Sequence, residues 1–344
     1  MTGQITIKNP DDLHCHFRDD VFLSRTVLDT AAYCARAIAM PNLKNPIDTA
    51  EKLTSYYQRI KAHVAEGLHF EPLMTLYIKD SLTAKIVQEA FDTGLLKACK
   101  YYPAGVTTNS SYGVANIQLM APVLEKLGAL GMPLLIHGES SDPSIDIFDR
   151  EAHFINNELQ WLLENFPKLK IVLEHITTKT AVDTVLNGPD NLAATITAHH
   201  LYIDRNDLLS GGIKPDLYCL PIAKRSEDRD ALVQAAISGS SKFFMGTDSA
   251  PHTCASKYTA CGCAGIYTAF HALPLYAQIF EQKGALDKLE DFTSVFGAEF
   301  YGLPLNKGAV TLIKKSWTVP ETLAYGNELV TPFMAGQELA WQVE

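Results

Sequence analysis

The sequence predicts a (β/α)8 barrel, and three observations carry that expectation. First, short apolar runs recur along the 344 residues, each closing in polar or turn-forming residues and most followed by a helical pattern. Eight can be read: ITIKNPDDLHCHF, CARAIAM, EPLMTLYI, LLKACKYY, MPLLIHG, LKIVLEHI, LAATITAHH and KFFMGTD. Strand and helix alternating eight times read as a parallel sheet, and eight such units can close on themselves. Second, the stretches between them carry helix signals. Asp48 with Glu51 three residues on forms a capping-box-like start; Leu53, Tyr56, Ile60 and Val64 repeat at helical spacing until Gly67. Another helix is expected from about Asp149 through Phe154, Leu159, Leu162 and Phe166, ending at Pro167. Third, the turn after the first strand reads HCHFRDD, without glycine. A doubly wound open sheet, the rival arrangement, favours a glycine-rich phosphate turn there.

From about residue 300 the pattern loosens into an apolar, turn-containing tail expected to pack on the barrel. No linker, low-complexity segment or repeat interrupts the chain, so residues 1–344 are expected to form a single domain with a C-terminal extension. The composition is that of a globular protein able to bury a large core, with 47% apolar and 20% charged residues. A net charge of −10 without runs of like charge argues against nucleic-acid and anionic-membrane partners, which need a cationic patch. The start MTGQITIKNPDD has neither the basic nor the apolar region of a secretory signal, and no apolar stretch is long enough for a membrane span. Seven scattered cysteines fit a reducing compartment, so a cytoplasmic location is expected. Cys254, Cys261 and Cys263 lack the spacing of a metal cluster and are expected to be structural or incidental thiols.

In a barrel of this kind the C-terminal ends of all eight strands converge on one face, where the chemistry sits. His14 and His16 follow the first strand on one face, with Arg18 near them and Cys15 turned away. Asn42 follows the second strand, Lys100 lies at the end of the fourth, His137 ends the fifth, His175 the sixth, and Asp248 the eighth with His252 just beyond. One histidine at a strand end is ordinarily a hydrogen-bonded structural residue. Four histidines and an aspartate on one face point instead to metal. Four imidazoles around one Zn2+ would leave no site for water or substrate, so a split into two half-filled sites fits better. Such a pair needs a shared anionic ligand. No carboxylate closes the fourth strand, but a neutral Lys100 that adds carbon dioxide becomes a carbamate, in effect a bridging carboxylate.

This order, His-x-His, then Lys, His, His and Asp on successive strands, resembles the amidohydrolase superfamily and, within it, the shorter bacterial dihydroorotases. The segments that carry the likeness are PDDLHCHFR, AIAMPNL, PAGVTTNSS, GMPLLIHGE, IDIFDREA, EHITTK, LAATIT, LYCLPI, GTDSAPH and CGCAG, with YGLP near residue 301. Tyr101 and the loop at Ala104-Gly105-Val106 depart slightly from the pattern, away from the ligand positions. The chain begins almost at the first strand and so lacks room for the N-terminal half of the extra β-sandwich of longer members, which also fits the shorter class.

The resemblance implies a (β/α)8 barrel of the metal-dependent amidohydrolase type, a homodimer, and reversible cyclisation of N-carbamoyl-L-aspartate to L-dihydroorotate in pyrimidine (UMP) synthesis. It implies two Zn2+ per subunit: His14, His16 and Asp248 on one, His137 and His175 on the other, bridged by carboxylated Lys100. A hydroxide between the metals would attack the ring carbonyl, with Asp248 as general base and acid. Arg18, Asn42 and His252 would hold the substrate carboxylate, and backbone groups at Leu220 and Ala264 would contact the ring. The segment TTNSS at 107–111 would be a lid whose Thr107 and Thr108 hydrogen-bond the substrate. Glu174, beside His175, is expected on the opposite strand face in a structural role. Hydantoinase, allantoinase or dihydropyrimidinase activity is the alternative hydrolase reading. A binding-only role is the non-enzymatic one, disfavoured because all six ligand positions are present.

Overall fold

The computed structural model describes residues 3–344. The first apolar segment, read as one strand, breaks at Asn9-Pro10 into β1 (Gln4–Lys8) and β2 (Asp11–Cys15). Proline has no amide to donate, so a ladder ends there and the two halves join different sheets.

From β2 the chain lays down eight parallel strands in sequence order. The others are β3 (Arg36–Ala39), β4 (Glu71–Ile78), β5 (Leu96–Tyr101), β6 (Leu134–His137), β7 (Ile171–Glu174), β8 (Leu192–Ile196) and β9 (Phe243–Met245). The sheet closes just past the last strand, where the Asp248 amide donates to the His14 carbonyl at 2.9 Å and the His16 amide to the Ser249 carbonyl at 3.1 Å. This is the predicted (β/α)8 barrel, and its seam runs through the candidate ligands.

Alternation along the strands sorts side chains into two layers. Leu13, Ile38, Leu73, Ala98, Leu135, Val172, Ala193 and Phe244 fill the barrel, while their neighbours pack outward against the helices. Phe296, Phe300, Tyr301 and Leu303 plug the barrel against this inner layer. The helix Phe296–Tyr301 approaches so closely that a Cβ on Gly297 would lie 2.0 Å from Leu13 Cδ1. The tail therefore begins a few residues later than 300. It forms β10 (Ala309–Thr318), β11 (Leu323–Tyr325), β12 (Glu328–Val330) and β13 (Glu338–Val343). β1 and β13 flank β10 in an antiparallel sheet, so the N-terminal strand does contribute to an accessory sheet. That sheet is fastened to the helix Ala272–Gln282: the buried Trp341 indole donates to Glu281 at 3.0 Å, and the Ala340 amide to Gln278 at 2.8 Å.

The helix expected at Asp48 is capped one residue later, with the Thr49 hydroxyl accepting from the Lys52 amide and the helix spanning Ala50–Lys61. Asp48 instead pairs with Lys52 and Lys79. The helix expected from Asp149 begins at Arg150 and runs to Asn165 through a π-helical segment, Ile155–Leu159. Among the described residues, no helix is long and apolar enough to cross a membrane.

Candidate active site

Above the apolar layer, the next inward positions are polar. Lys100 follows Ala98 by two residues, His137 follows Leu135 and Glu174 follows Val172, so regular alternation aims all three inward. A register shift between Asp12 and Cys15 in the pairing of β2 with β3 breaks the alternation there. His14 reaches the site although Leu13 also faces in, and His16 joins it while Cys15 packs outward. Gly246 makes room beside them, since a Cβ there would lie 3.0 Å from that of His14 and 2.8 Å from Thr195.

His14 Nε2, His16 Nε2 and Asp248 Oδ1 form a triangle with edges of 3.2, 3.2 and 3.0 Å. Ligands of a tetrahedral ion bound at 2.0–2.1 Å stand about 3.3 Å apart, so the three atoms already have the spacing of one face of a zinc site. His14 turns its other nitrogen, Nδ1, to Glu174 Oε1 at 3.0 Å. A carboxylate behind a ligating histidine is the usual means of fixing its ring. The His175 ring lies 4.9 Å from that of His14 and 4.7 Å from that of His137, and its buried Nδ1 has no partner. Lys100, fully buried, places its ammonium against the Glu174 carboxylate and 4.9 Å from the centre of the Tyr102 ring. The six predicted ligands thus meet at one barrel mouth, where His14, His16 and Asp248 have the spacing of a metal site.

The charges follow from this crowding. Burial disfavours a charged His14, but Glu174 and Asp248 outweigh it and raise its pKa to about 9. Burial would raise Asp248, yet His14 and then His16 hold it well below the usual carboxylate range. Burial lowers His16 to about 4 and drives His175 well below an ordinary histidine. Burial also pushes Lys100 down toward its neutral amine, against the pull of Glu174. A neutral amine is the form that adds carbon dioxide.

Glu174 corrects the expectation of an outward, structural residue. It faces inward by strand alternation; His175 is the residue that departs, with φ +41 turning it back into the site. Among the described residues, six non-glycine residues have positive φ, and Arg18, Asn109, His175 and Asp248 are four of them. Such strain costs about 1–3 kcal/mol per residue and persists where the surroundings over-determine the geometry. Asp12 was also missed. It accepts from the Thr247 amide at 2.9 Å, the Thr247 hydroxyl at 2.6 Å and the His14 amide at 3.2 Å, tying the two halves of the ligand triangle together.

Beside the ligands, Arg18, Asn42, Thr108 and His252 line a cleft of about 1200 Å3. Arg18 Nη2 lies 3.1 Å from His252 Nε2, and Arg18 Nε donates to the Pro251 carbonyl at 3.1 Å. Burial, reinforced by the Arg18 charge, lowers His252 to about 2, so its imidazole is neutral and can accept from the guanidinium. The 107–111 loop is docked here: Asn42 Nδ2 donates to the Thr108 carbonyl at 3.0 Å, and Asn109 Nδ2 to the Asn42 carbonyl at 2.9 Å. Thr108 Oγ1 is 3.4 Å from the Ala264 carbonyl, while Thr107 is held through its amide by Ser110 Oγ at 2.8 Å. Leu220 and Ala264, far apart in sequence, are drawn together by their neighbours. The Gly265 amide donates to the Tyr218 carbonyl at 2.9 Å, and the buried Lys257 ammonium donates to the Tyr218 and Gly265 carbonyls at 2.9 and 2.7 Å.

If the loop excludes water from substrate, Thr107→Ala with Thr108→Ala is expected to lower turnover by about 10²-fold while zinc content stays normal. Unchanged kinetics in the double variant would dismiss the lid.

The amidohydrolase family model matches residues 7–338. A dihydroorotase of Coxiella burnetii is 56% identical over 341 residues, covering 99% of this chain and 98% of its own; one from Teredinibacter turnerae is 53% identical over the whole length of both. Among solved structures, dihydroorotase from Campylobacter jejuni superposes with a TM-score of 0.91 at 39% identity, covering 100% of this chain and 98% of its own. That of Saccharomyces cerevisiae, in complex with 5-fluoroorotic acid, gives 0.91 at 33%, covering 99% and 98%. An L-hydantoinase from Arthrobacter aurescens, at 14% identity and a TM-score of 0.80, covers 98% of this chain and 83% of its own and shares the fold alone. With ligand order, barrel and full-length likeness in agreement, the chain belongs to the amidohydrolase family, among its dihydroorotases.

Proposed function

We propose that this chain is a zinc-dependent dihydroorotase, interconverting L-dihydroorotate and N-carbamoyl-L-aspartate in the synthesis of pyrimidines. The observation that carries the proposal is the juxtaposition of the ligand triangle with the Arg18–His252 pair and Asn42. A metal-type hydrolytic centre stands beside cationic and amide donors suited to a carboxylate. Relatives named dihydroorotase over their full length support it.

His14, His16 and Asp248 would hold one zinc ion and His137 and His175 the other, with Lys100, as its carbamate, between them. When bound, the two ions would polarise the ring carbonyl and lower the pKa of a bound water, to about 7 in single-zinc enzymes. Asp248 takes the proton that the attacking water gives up and delivers it to the ring nitrogen as the amide bond breaks; in cyclisation it runs the same transfer backward. Arg18, Asn42 and His252 grip the exocyclic carboxylate through charge-assisted contacts. Backbone groups at Leu220 and Ala264 contact the ring, and the 107–111 loop closes over it. Glu174 orients His14. The working form is a cytoplasmic homodimer.

The grip on the carboxylate can be tested separately from hydrolysis. With charged contacts contributing about 1.5–3 kcal/mol each, kcat/KM for L-dihydroorotate is expected to exceed that for dihydrouracil, which lacks the carboxylate, by at least about 10²-fold. Arg18→Met should erase most of that ratio. Equal rates for the two rings in the wild type would transfer the assignment to the uncharged cyclic amides.

A further inference from the structure

One buried cluster outside this machinery is built entirely of metal-ligating side chains. His199, His200 and Cys219 are 0%, 2% and 1% exposed, and their ligand atoms lie within 4.8 Å of one another. They come from two segments. Thr197 caps the short helix Ala198–Tyr202, which carries both histidines, and the 218–221 segment carries the cysteine just before Leu220.

Cys219 Sγ is 3.4 Å from His200 Nε2, and the Pro221 carbonyl oxygen stands 2.9 Å from that nitrogen and 3.4 Å from the sulfur. With Zn–N of 2.0–2.1 Å and Zn–S of 2.3 Å, tetrahedral nitrogen and sulfur ligands stand about 3.5 Å apart. The sulfur and the His200 nitrogen thus stand at the spacing of two ligands of one ion, while the carbonyl lies at hydrogen-bond distance from that nitrogen. His200 Nδ1 is 2.9 Å from the Thr197 hydroxyl. That hydroxyl accepts from the His200 amide at 3.1 Å and is free to donate to Nδ1, which leaves Nε2–H to donate to the Pro221 carbonyl, a bond that ion binding would replace. Hydrogen bonding of His200 and Cys219 to the Pro221 carbonyl accounts for those two residues alone. It leaves His199, whose two ring nitrogens are both buried without a partner. Buried polar groups of this kind are rare in folded proteins.

We infer that His199, His200 and Cys219 form a further metal site, for a thiophilic divalent cation of the zinc type. Mixed imidazole and thiolate ligation selects zinc among the common divalent ions. Burial pushes the Cys219 thiol up to about 12, so loading exchanges the thiol proton for the ion and releases that proton to solvent. The site is structural: it staples the end of β8 to the segment that presents Leu220, and no reacting group touches it.

A thiolate ligand gives the site its own signature, because the six ligands at the barrel mouth include no sulfur. The full-length protein loaded with cobalt(II) in place of zinc is expected to hold three ions per chain and to show a near-ultraviolet thiolate-to-cobalt charge-transfer band. Cys219→Ser should lose the band and one ion. His199→Gln, with the thiol intact and a side chain that fills similar space, should lose both as well. A wild-type protein that holds two ions and shows no such band overturns the inference, whatever its activity. So does a band that survives Cys219→Ser, which would belong to Cys254, Cys261 or Cys263.

Discussion

Replacing Lys100 with alanine is expected to lower ring opening of L-dihydroorotate by on the order of 10³-fold or more. Lys100 is fully buried among His14, His175 and Glu174. No other side chain from β5 can supply a shared anionic ligand: Cys99 belongs to the outer layer, and Tyr101 packs there too. If Lys100 serves as the proposed carbamate, its loss leaves His137 and His175 as a two-nitrogen site beside Glu139, whose carboxylate lies 2.7 Å from His137 Nε2. The zinc held on that side should therefore fall with activity, while the ion on His14, His16 and Asp248 is retained. A short carboxylate such as acetate, small enough for the space the side chain vacates, is expected to restore part of both. Wild-type turnover in the alanine variant would exclude any chemical role for Lys100.

Asp248→Asn is expected to cost about 10²–10⁴-fold in turnover, the range for a positioned acid–base group. The substitution keeps the shape of the side chain but removes the charge that pairs with His14 and His16 at 3.2 and 3.0 Å. It also removes the carboxylate that, after Glu174, raises His14 and that supports His16, so both imidazoles lose a partner that favours their charged form. The informative readout is the split between KM and kcat. In the proposed reading Arg18, Asn42 and His252 hold the carboxylate of the substrate, so KM should change little while kcat falls. A rise in KM with kcat preserved would assign Asp248 to binding instead.

The barrel was legible because it rests on period-two patterns, and the gathering of the candidate ligands at one mouth follows from the polar residues that end them. The inner layer of Leu13, Ala98, Leu135 and Val172 leads by alternation to the positions proposed to carry the chemistry. Glu174 was misread because a regular strand sends Glu174 and His175 to opposite faces, and the positive φ at His175 brings both into one site. No residue type announces that turn in a lone sequence. The division of the first strand did have a signal, the proline at position 10, which cannot donate to a ladder. The two histidines at 199–200 looked like the end of a strand; Thr197, a favoured helix cap, marks the short helix that places them in the core. The accessory sheet was hidden for another reason. β1 and its partner β10 lie nearly the whole chain apart, and pairing across that distance leaves no local pattern.

The measurement that bears most directly on the whole account is ring opening of L-dihydroorotate by the purified wild-type protein, supplied with zinc and bicarbonate and followed to product. The expected result is stoichiometric formation of N-carbamoyl-L-aspartate, reversing to the ring when product is supplied instead. A metal-loaded, folded protein that leaves L-dihydroorotate intact would contradict the assignment of this site to dihydroorotase chemistry.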